Sequence, residues 1–150
     1  MSYIMQNVDQ IGRTSKFRIR RKNQEKAYRA LLKYVNQSPD LGYQHEDSLD
    51  LMDNLDGIFE SLGWSCVFDP DENYDITALA FDNDELGEEQ GWMSAIAPYV
   101  EAGSHIDMFG GCLRIWSWCF DGKKMRTYEG EIVYPRMPSW YLFEESPEYV

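Results

Sequence analysis

The chain has 150 residues, 43% of them hydrophobic and 15% aromatic, which is enough for one domain with a sizeable core. It contains no run of 18 apolar residues, and its N-terminal segment lacks the basic start and apolar block of a signal peptide, so we expect neither a membrane span nor an export signal. Three cysteines are an odd and sparse set, which predicts free, buried thiols in a reducing, cytoplasmic compartment rather than a disulfide framework.

The net charge of −12 is unevenly distributed along the chain. Residues 1–39 carry nine basic and two acidic side chains, whereas residues 40–150 carry five basic and 24 acidic ones. Between residues 40 and 113 there are 18 acids and neither Lys nor Arg. A field of one sign attracts a partner of opposite sign and repels nucleic acid over about 8 Å at physiological salt. General solubility of an acidic protein is the alternative explanation.

The first part of the chain predicts a strand and then a basic helix. The segment SKFRIR (15–20) alternates apolar and charged residues, as a strand does. Asn23 is a candidate cap for a helix over residues 24–36. The basic side chains of this helix recur every three or four residues and therefore form a stripe, which comprises Lys22, Lys26, Arg29 and Lys33. We expect this basic stripe to pair with the acidic part of the same molecule.

A second helix is predicted over residues 48–62, with Asp47 or Ser48 as its cap and Gly63 as its stop. Its apolar residues recur at helical spacing and predict a buried face. Acidic residues occupy the opposite side of the helix, where the first helix has its basic stripe. They are Asp50, Asp53 and Glu60.

Residues 64–82 predict a β-hairpin, because two β-prone runs flank the turn sequence DPDENYD (69–75). The alternating acids of this turn resemble a calcium-binding loop. An EF-hand loop needs Gly at its sixth position and Glu at its twelfth, and this chain has Tyr74 and Ala80 there. We therefore expect a solvated turn and no metal.

The remainder predicts one more helix and a β-meander. The helix precedes Gly103 and is shortened or kinked by Pro98. Three β-rich segments follow, and residues 135–150 could form an extended C-terminal arm. The fold class is therefore α+β, a single domain over residues 1–150 whose mostly antiparallel sheet carries about three helices on one face.

The sequence offers no convincing catalytic or zinc-binding set. In the segment GSHID, strand alternation would place Ser104 on one face and His105 and Asp107 on the other, so a nucleophile and its base would not meet. The His and Cys residues show none of the close pairs typical of zinc sites. We therefore expect no catalytic residue, no metal and no cofactor.

Residues 91–135 (GWMSAIAPYVEAGSHIDMFGGCLRIWSWCFDGKKMRTYEGEIVYP) resemble small uncharacterised proteins of phages and other mobile elements. In that group an acidic pair would precede the W.W strand, where this chain has Gly110 and Gly111. The resemblance implies a phage or mobile-element origin and transfers no functional site. The matching residues are Ala97, Pro98, Tyr99, Val100, Gly103, Ser104, Ile106, Trp116, Trp118, Phe120, Gly122, Lys123, Ile132 and Val133.

Together, the acidity and the resemblance predict an inhibitor that acts in the host cytoplasm rather than an enzyme. It would bind the basic nucleic-acid channel of a defence enzyme such as a CRISPR effector, as an anti-CRISPR protein does, without binding nucleic acid or membrane itself. Two alternatives remain: an immunity protein that neutralises a basic toxin, and a small-ligand-binding or enzymatic domain. The candidate partner-binding residues are Asp50, Asp53, Glu60, Asp69, Asp71, Glu72, Asp84, Glu85, Glu88 and Glu89.

Overall fold

The structure is a computed structural model, and it describes residues 3–4, 16–38, 50–83, 85–111 and 114–131. Its helices are α1 (Arg21–Gln37), α2 (Leu51–Ser61) and α3 (Glu89–Ile96). Its strands are β1 (Tyr3–Ile4), β2 (Trp64–Asp69), β3 (Asp75–Phe81), β4 (His105–Gly110), β5 (Ile115–Phe120) and β6 (Met125–Glu129). The predicted α+β class is confirmed. The predicted C-terminal arm, 135–150, lies outside the described residues.

The strands form two antiparallel sheets instead of the one expected. One sheet has the order β1-β4-β5-β6, and the other is the predicted hairpin, β2-β3. Of the segment predicted to be a strand, 15–20, the structure describes residues 16–20, which form two isolated bridges and no regular strand. Lys16 pairs with His105 in the first sheet, and Ile19 pairs with Ile76 in the second. Because this segment crosses from one sheet to the other, it cannot run beside either as a regular strand.

Aromatic side chains join the layers of the core. The ring of Trp64 on β2 lies 5.8 Å from that of Trp92 on α3 and 6.2 Å from that of Trp118 on β5, both edge to face. Trp92 also contacts Phe59 on α2, with 5.9 Å between the ring centroids. All four side chains are buried. Such pairs add roughly 0.5–1.5 kcal/mol each to the burial of apolar area, and they fix the hairpin against the four-stranded sheet.

The first residues of α1 and α2 differ from the prediction because aspartate side chains cap both helices. α1 begins at Arg21, two residues before the predicted cap, because the Asp75 Oδ1 atom accepts a hydrogen bond of 2.7 Å from the Arg21 amide.

α2 is capped by Asp50, whose Oδ1 accepts a hydrogen bond from the Met52 amide at 3.0 Å. The predicted caps Asp47 and Ser48 lie outside the described residues. α2 ends before Gly63, as predicted, where φ is +84°.

α3 is short, as its proline predicts. It ends at Ile96 and continues as one 3₁₀ turn, Ala97–Tyr99, that contains Pro98. Gly91 allows α1 to approach α3, since a Cβ at this position would lie 2.1 Å from the Tyr34 hydroxyl.

Candidate partner-binding surface

α2 presents its acidic residues to solvent because its apolar residues face the core. Leu55, Ile58 and Phe59 are fully buried, whereas Asp53 and Glu60 are exposed. Asp56, on the same side, is also exposed and was not among the residues that we singled out from the sequence. Asp50 is exposed as well, but its carboxylate is occupied in capping the helix.

The hairpin turn extends this acidic surface. Asp69 caps a 3₁₀ turn, Pro70–Glu72, through a 3.0 Å hydrogen bond from the Asp71 amide to its Oδ1. Asp71 and Glu72 are exposed at the tip. The predicted hairpin is thus confirmed. Among the described residues, no group of three His, Cys, Asp or Glu side chains is arranged to hold a metal ion.

Tyr74 follows that turn in a strained backbone conformation. Its φ is +59°, a value that is rare for a bulky residue. Two hydrogen bonds hold it there: its amide donates to the Asp69 carbonyl at 2.8 Å, and its own carbonyl accepts from Gln24 Nε2 at 2.8 Å. Gln24 is buried on α1, so the turn is attached to that helix. The Tyr74 side chain is nevertheless 43% exposed.

The predicted acids after β3 differ in their surroundings. Glu85 is exposed, Glu88 is exposed and accepts a 3.0 Å hydrogen bond from the Tyr34 hydroxyl, and Asp84 lies outside the described residues. Glu89 is only 4% exposed, and both of its carboxylate oxygens accept from the Gly87 amide. Burial raises the pKa of Glu89, against the opposing effect of these hydrogen bonds. Glu89 is therefore part of the fold and cannot contact a partner.

A second group of carboxylates surrounds two arginines that precede α1. Arg18 lies 2.9 Å from Asp75, 3.6 Å from Glu72 and 3.5 Å from Glu101. Arg20 forms a further ion pair with Glu101 at 2.5 Å. Asp75 is buried and caps α1 as well, so this network ties the start of α1 to β3 and to the segment after α3.

In the part of the chain that the structure describes, the basic stripe on α1 does not pair with the acidic region as expected. Its four side chains are exposed, and Arg29 pairs with Glu25 on its own helix at 2.9 Å. Within the described residues, Lys22, Lys26 and Lys33 form no ion pair. The reason is local: α1 turns its apolar face inward, which leaves the stripe pointing to solvent, whereas Arg18 and Arg20 are close enough to reach the acids.

A groove between α2 and β2 brings together residues that the sequence did not associate. It has a volume of about 320 Å³ and is lined by Met52, Asp53, Asp56, Cys66, Phe68 and Tyr74. The Sγ of Cys66 lies 3.8 Å from Asp56 Oδ1. Burial, and then the negative charge of Asp56, raises the pKa of this thiol to about 12. Among the described residues that line the groove, the charged side chains are therefore the two aspartates.

Met52 and Tyr74 also line a larger depression of about 690 Å³ on the α1 side. The walls of that depression carry charges of both signs, from Arg21, Lys22 and Glu25 among others. The Cζ of Arg21 lies 5.9 Å from the centre of the Tyr74 ring. Two exposed side chains therefore separate the mixed-charge depression from the acidic groove. They are Met52, which is 37% exposed, and Tyr74.

One face of the four-stranded sheet holds a cluster of polar side chains, part of which the strand alternation predicts. His105 and Asp107 share a face, as predicted, and His105 Nδ1 lies 3.2 Å from Asp107 Oδ2. The register places Ser117 opposite Asp107 and Cys119 opposite His105 on the neighbouring strand. Ser117 Oγ and Cys119 Sγ are 3.4 Å apart. In the described part of the chain no hydrogen bond joins Ser117 or Cys119 to His105.

None of the described helices combines the length and the apolar character needed to cross a membrane. Comparison with family models, with curated proteins and with solved structures found no match to this chain.

Proposed function

We propose that this protein is an inhibitor that binds the basic nucleic-acid channel of a host defence enzyme, such as a CRISPR effector, in the host cytoplasm. One observation supports this function above the others. Asp53, Asp56 and Glu60 on α2 and Asp71 on the β2–β3 hairpin are exposed to solvent, and neither element contains a Lys or Arg.

Physical chemistry explains why such a surface suits this partner. Channels that hold nucleic acid are lined by Lys and Arg, which neutralise phosphates. Exposed carboxylates on a rigid scaffold can take the place of phosphates and form charge-assisted hydrogen bonds with the same side chains. The acids of α2 and the hairpin are held by a packed helix and a capped turn, so little ordering would be needed on binding.

The proposal is tested by inhibition of RNA-guided nucleases from several classes. Each nuclease is assayed for DNA cleavage and for binding of labelled target DNA, with the full chain present at increasing concentration. We expect at least one nuclease to lose both activities together, with an inhibition constant that rises steeply between 50 and 300 mM salt, taken as roughly the range where screening grows strong. Failure to inhibit any of these nucleases, or inhibition that leaves DNA binding intact, would contradict the proposal.

A block variant then examines the role of the acidic surface. Glu60, Asp71 and Glu85 are all exposed, do not line the groove between α2 and β2, and form no ion pair among the described residues. Changed together to Gln or Asn, they should weaken inhibition at least tenfold, or about 1.4 kcal/mol, which three exposed charge pairs can supply. The matched control replaces Lys22, Lys26 and Lys33 by Gln and should leave inhibition intact. An acidic block variant that inhibits normally would rule out this surface as the contact.

A further inference from the structure

We propose that the groove between α2 and β2 receives an arginine side chain of the basic partner and so provides a specific anchor within the broader acidic surface. The inference rests on the proposed function, because it takes the partner to be a basic protein. It adds a short-range recognition element to a contact that otherwise depends on long-range charge.

The shape and lining of the groove match one long cationic side chain. At about 320 Å³, it lies at the lower end of the range of ligand pockets, roughly 300–1,000 Å³, and accommodates a side chain more readily than a helix. Met52 and Phe68 offer apolar contact to an aliphatic stem, while Asp53 and Asp56 offer carboxylates to a charged head group. Among the described residues, no basic side chain lines the groove or pairs with these two aspartates.

Arginine suits this groove better than lysine for two reasons. A guanidinium group can donate two parallel hydrogen bonds to a carboxylate, and its flat face can stack on an aromatic ring. The groove supplies both kinds of contact, with aspartates and with the rings of Phe68 and Tyr74. The Tyr74 ring already has one cationic neighbour, since the Cζ of Arg21 lies 5.9 Å from its centre on the α1 side.

The exposure and the strain of Tyr74 agree with a role in binding. Tyrosine is one of the residue types enriched among binding hot spots, and Tyr74 is 43% exposed beside the groove. Its left-handed backbone costs about 1 kcal/mol, which a folded protein retains only where the surrounding structure imposes it. Here the bonds to Asp69 and Gln24 impose it.

The experiment uses the full chain and three short peptides, Gly-Arg-Gly, Gly-Lys-Gly and Gly-citrulline-Gly, all blocked at both ends. Citrulline has the shape of arginine without its charge. Each peptide is titrated into ¹⁵N-labelled protein, and the amide shifts of the groove residues are followed by NMR. We expect the arginine peptide to shift the amides of Met52, Cys66 and Tyr74, the lysine peptide to bind more weakly, and the citrulline peptide to have no effect there.

Two variants locate the binding. Asp53→Asn with Asp56→Asn should weaken binding of the arginine peptide at least tenfold, whereas Val67→Ala, at a 52% exposed residue that does not line the groove, should leave it unchanged. Equal shifts with the arginine and citrulline peptides would overturn the inference, as would shifts located on other elements. Thermal melts of both variants check that they are folded.

The outcomes separate this inference from the proposed function. If the arginine peptide occupies the groove but no nuclease is inhibited, the anchor is retained and the nuclease target is wrong. If a nuclease is inhibited equally by the wild-type chain and by the Asp53→Asn, Asp56→Asn variant, the inhibitor function is retained and the anchor is wrong.

Discussion

Two groups of carboxylates in this molecule have opposite roles. Asp75 and Glu101 are engaged by Arg18 and Arg20, and they tie α1 to β3 and to the segment after α3. Asp53 and Asp71, on α2 and at the hairpin turn, are exposed and have no basic partner among the described residues. The two groups come close together along the chain, since Asp75 lies only four residues after Asp71. Spatial proximity to two arginines, rather than local composition, determines which acids hold the fold together and which remain available to a partner.

The largest expected effect is the loss of stability on removing an acid of the first group. Asp75→Ala removes the cap of α1 and leaves the Arg18 guanidinium, which is 24% exposed, without its nearest acidic partner. Removing one member of a largely buried pair commonly destabilises by roughly 3–5 kcal/mol, and partial exposure of Arg18 places our expectation near the lower value. Urea denaturation measures the free energy of unfolding.

The matched control for that variant is Asp71→Ala, four residues earlier in the same hairpin. Asp71 is exposed, so its replacement should change the free energy of unfolding by no more than about 0.5 kcal/mol. If the two variants are equally stable, the distinction between engaged and available acids is wrong.

A smaller effect is expected from Glu89, the predicted partner-binding acid that is buried. Burial raises the pKa of Glu89 above its ordinary value of 4.5, so the folded state binds its proton more tightly than the unfolded state does. The contribution of this group to stability is therefore fully present below pH 4.5 and is lost as the pH rises through the folded-state pKa. Glu89→Gln keeps an acceptor for the Gly87 amide and removes the buried charge.

We expect Glu89→Gln to have a higher thermal midpoint than the wild type at pH 7, with a difference that narrows toward pH 4.5. Melts at several pH values between 4.5 and 8 measure this difference, and Glu85→Gln, an exposed acid nearby, is the control. A variant less stable than the wild type at pH 7 would show that the hydrogen bonds to the ionised carboxylate outweigh its burial.

The sequence predicts much of the fold because local patterns determine it. The apolar spacing of α2 gives its buried face, Gly63 gives its end, Pro98 limits α3, and the turn chemistry of residues 69–75 gives the hairpin. The alternation in residues 15–20 was misleading, since it cannot show that Lys16 and Ile19 have partners in different sheets. Local pattern also could not show that Glu89 is turned inward beside Gly87 while Glu88 remains exposed.

The candidate groove could not be predicted from the sequence either, because local patterns do not show which elements pack against each other. Asp53 and Asp56 lie on one helix, whereas Cys66 and Tyr74 lie on and after a strand that packs against it. Only the packing of α2 on β2 brings them together. An exposed aromatic residue at a turn position that favours Gly or Asn was the one available signal, because Tyr74 occupies the place where a calcium loop would have glycine.

The smallest expected change in the free energy of unfolding concerns the basic stripe on α1. Basic residues, like the carboxylates, divide into an engaged group and an exposed group. Arg18 and Arg20 are engaged in ion pairs, whereas Lys22, Lys26 and Lys33 are exposed on α1 and form no ion pair among the described residues. Replacing the three lysines by Gln should therefore change the free energy of unfolding by less than about 0.5 kcal/mol, since surface positions without partners contribute little. Arg18→Gln with Arg20→Gln, measured in the same urea titration, should cost considerably more because it removes the ion pairs around Asp75 and Glu101. A loss of stability in the lysine variant as large as in the arginine variant would mean that the stripe is paired after all.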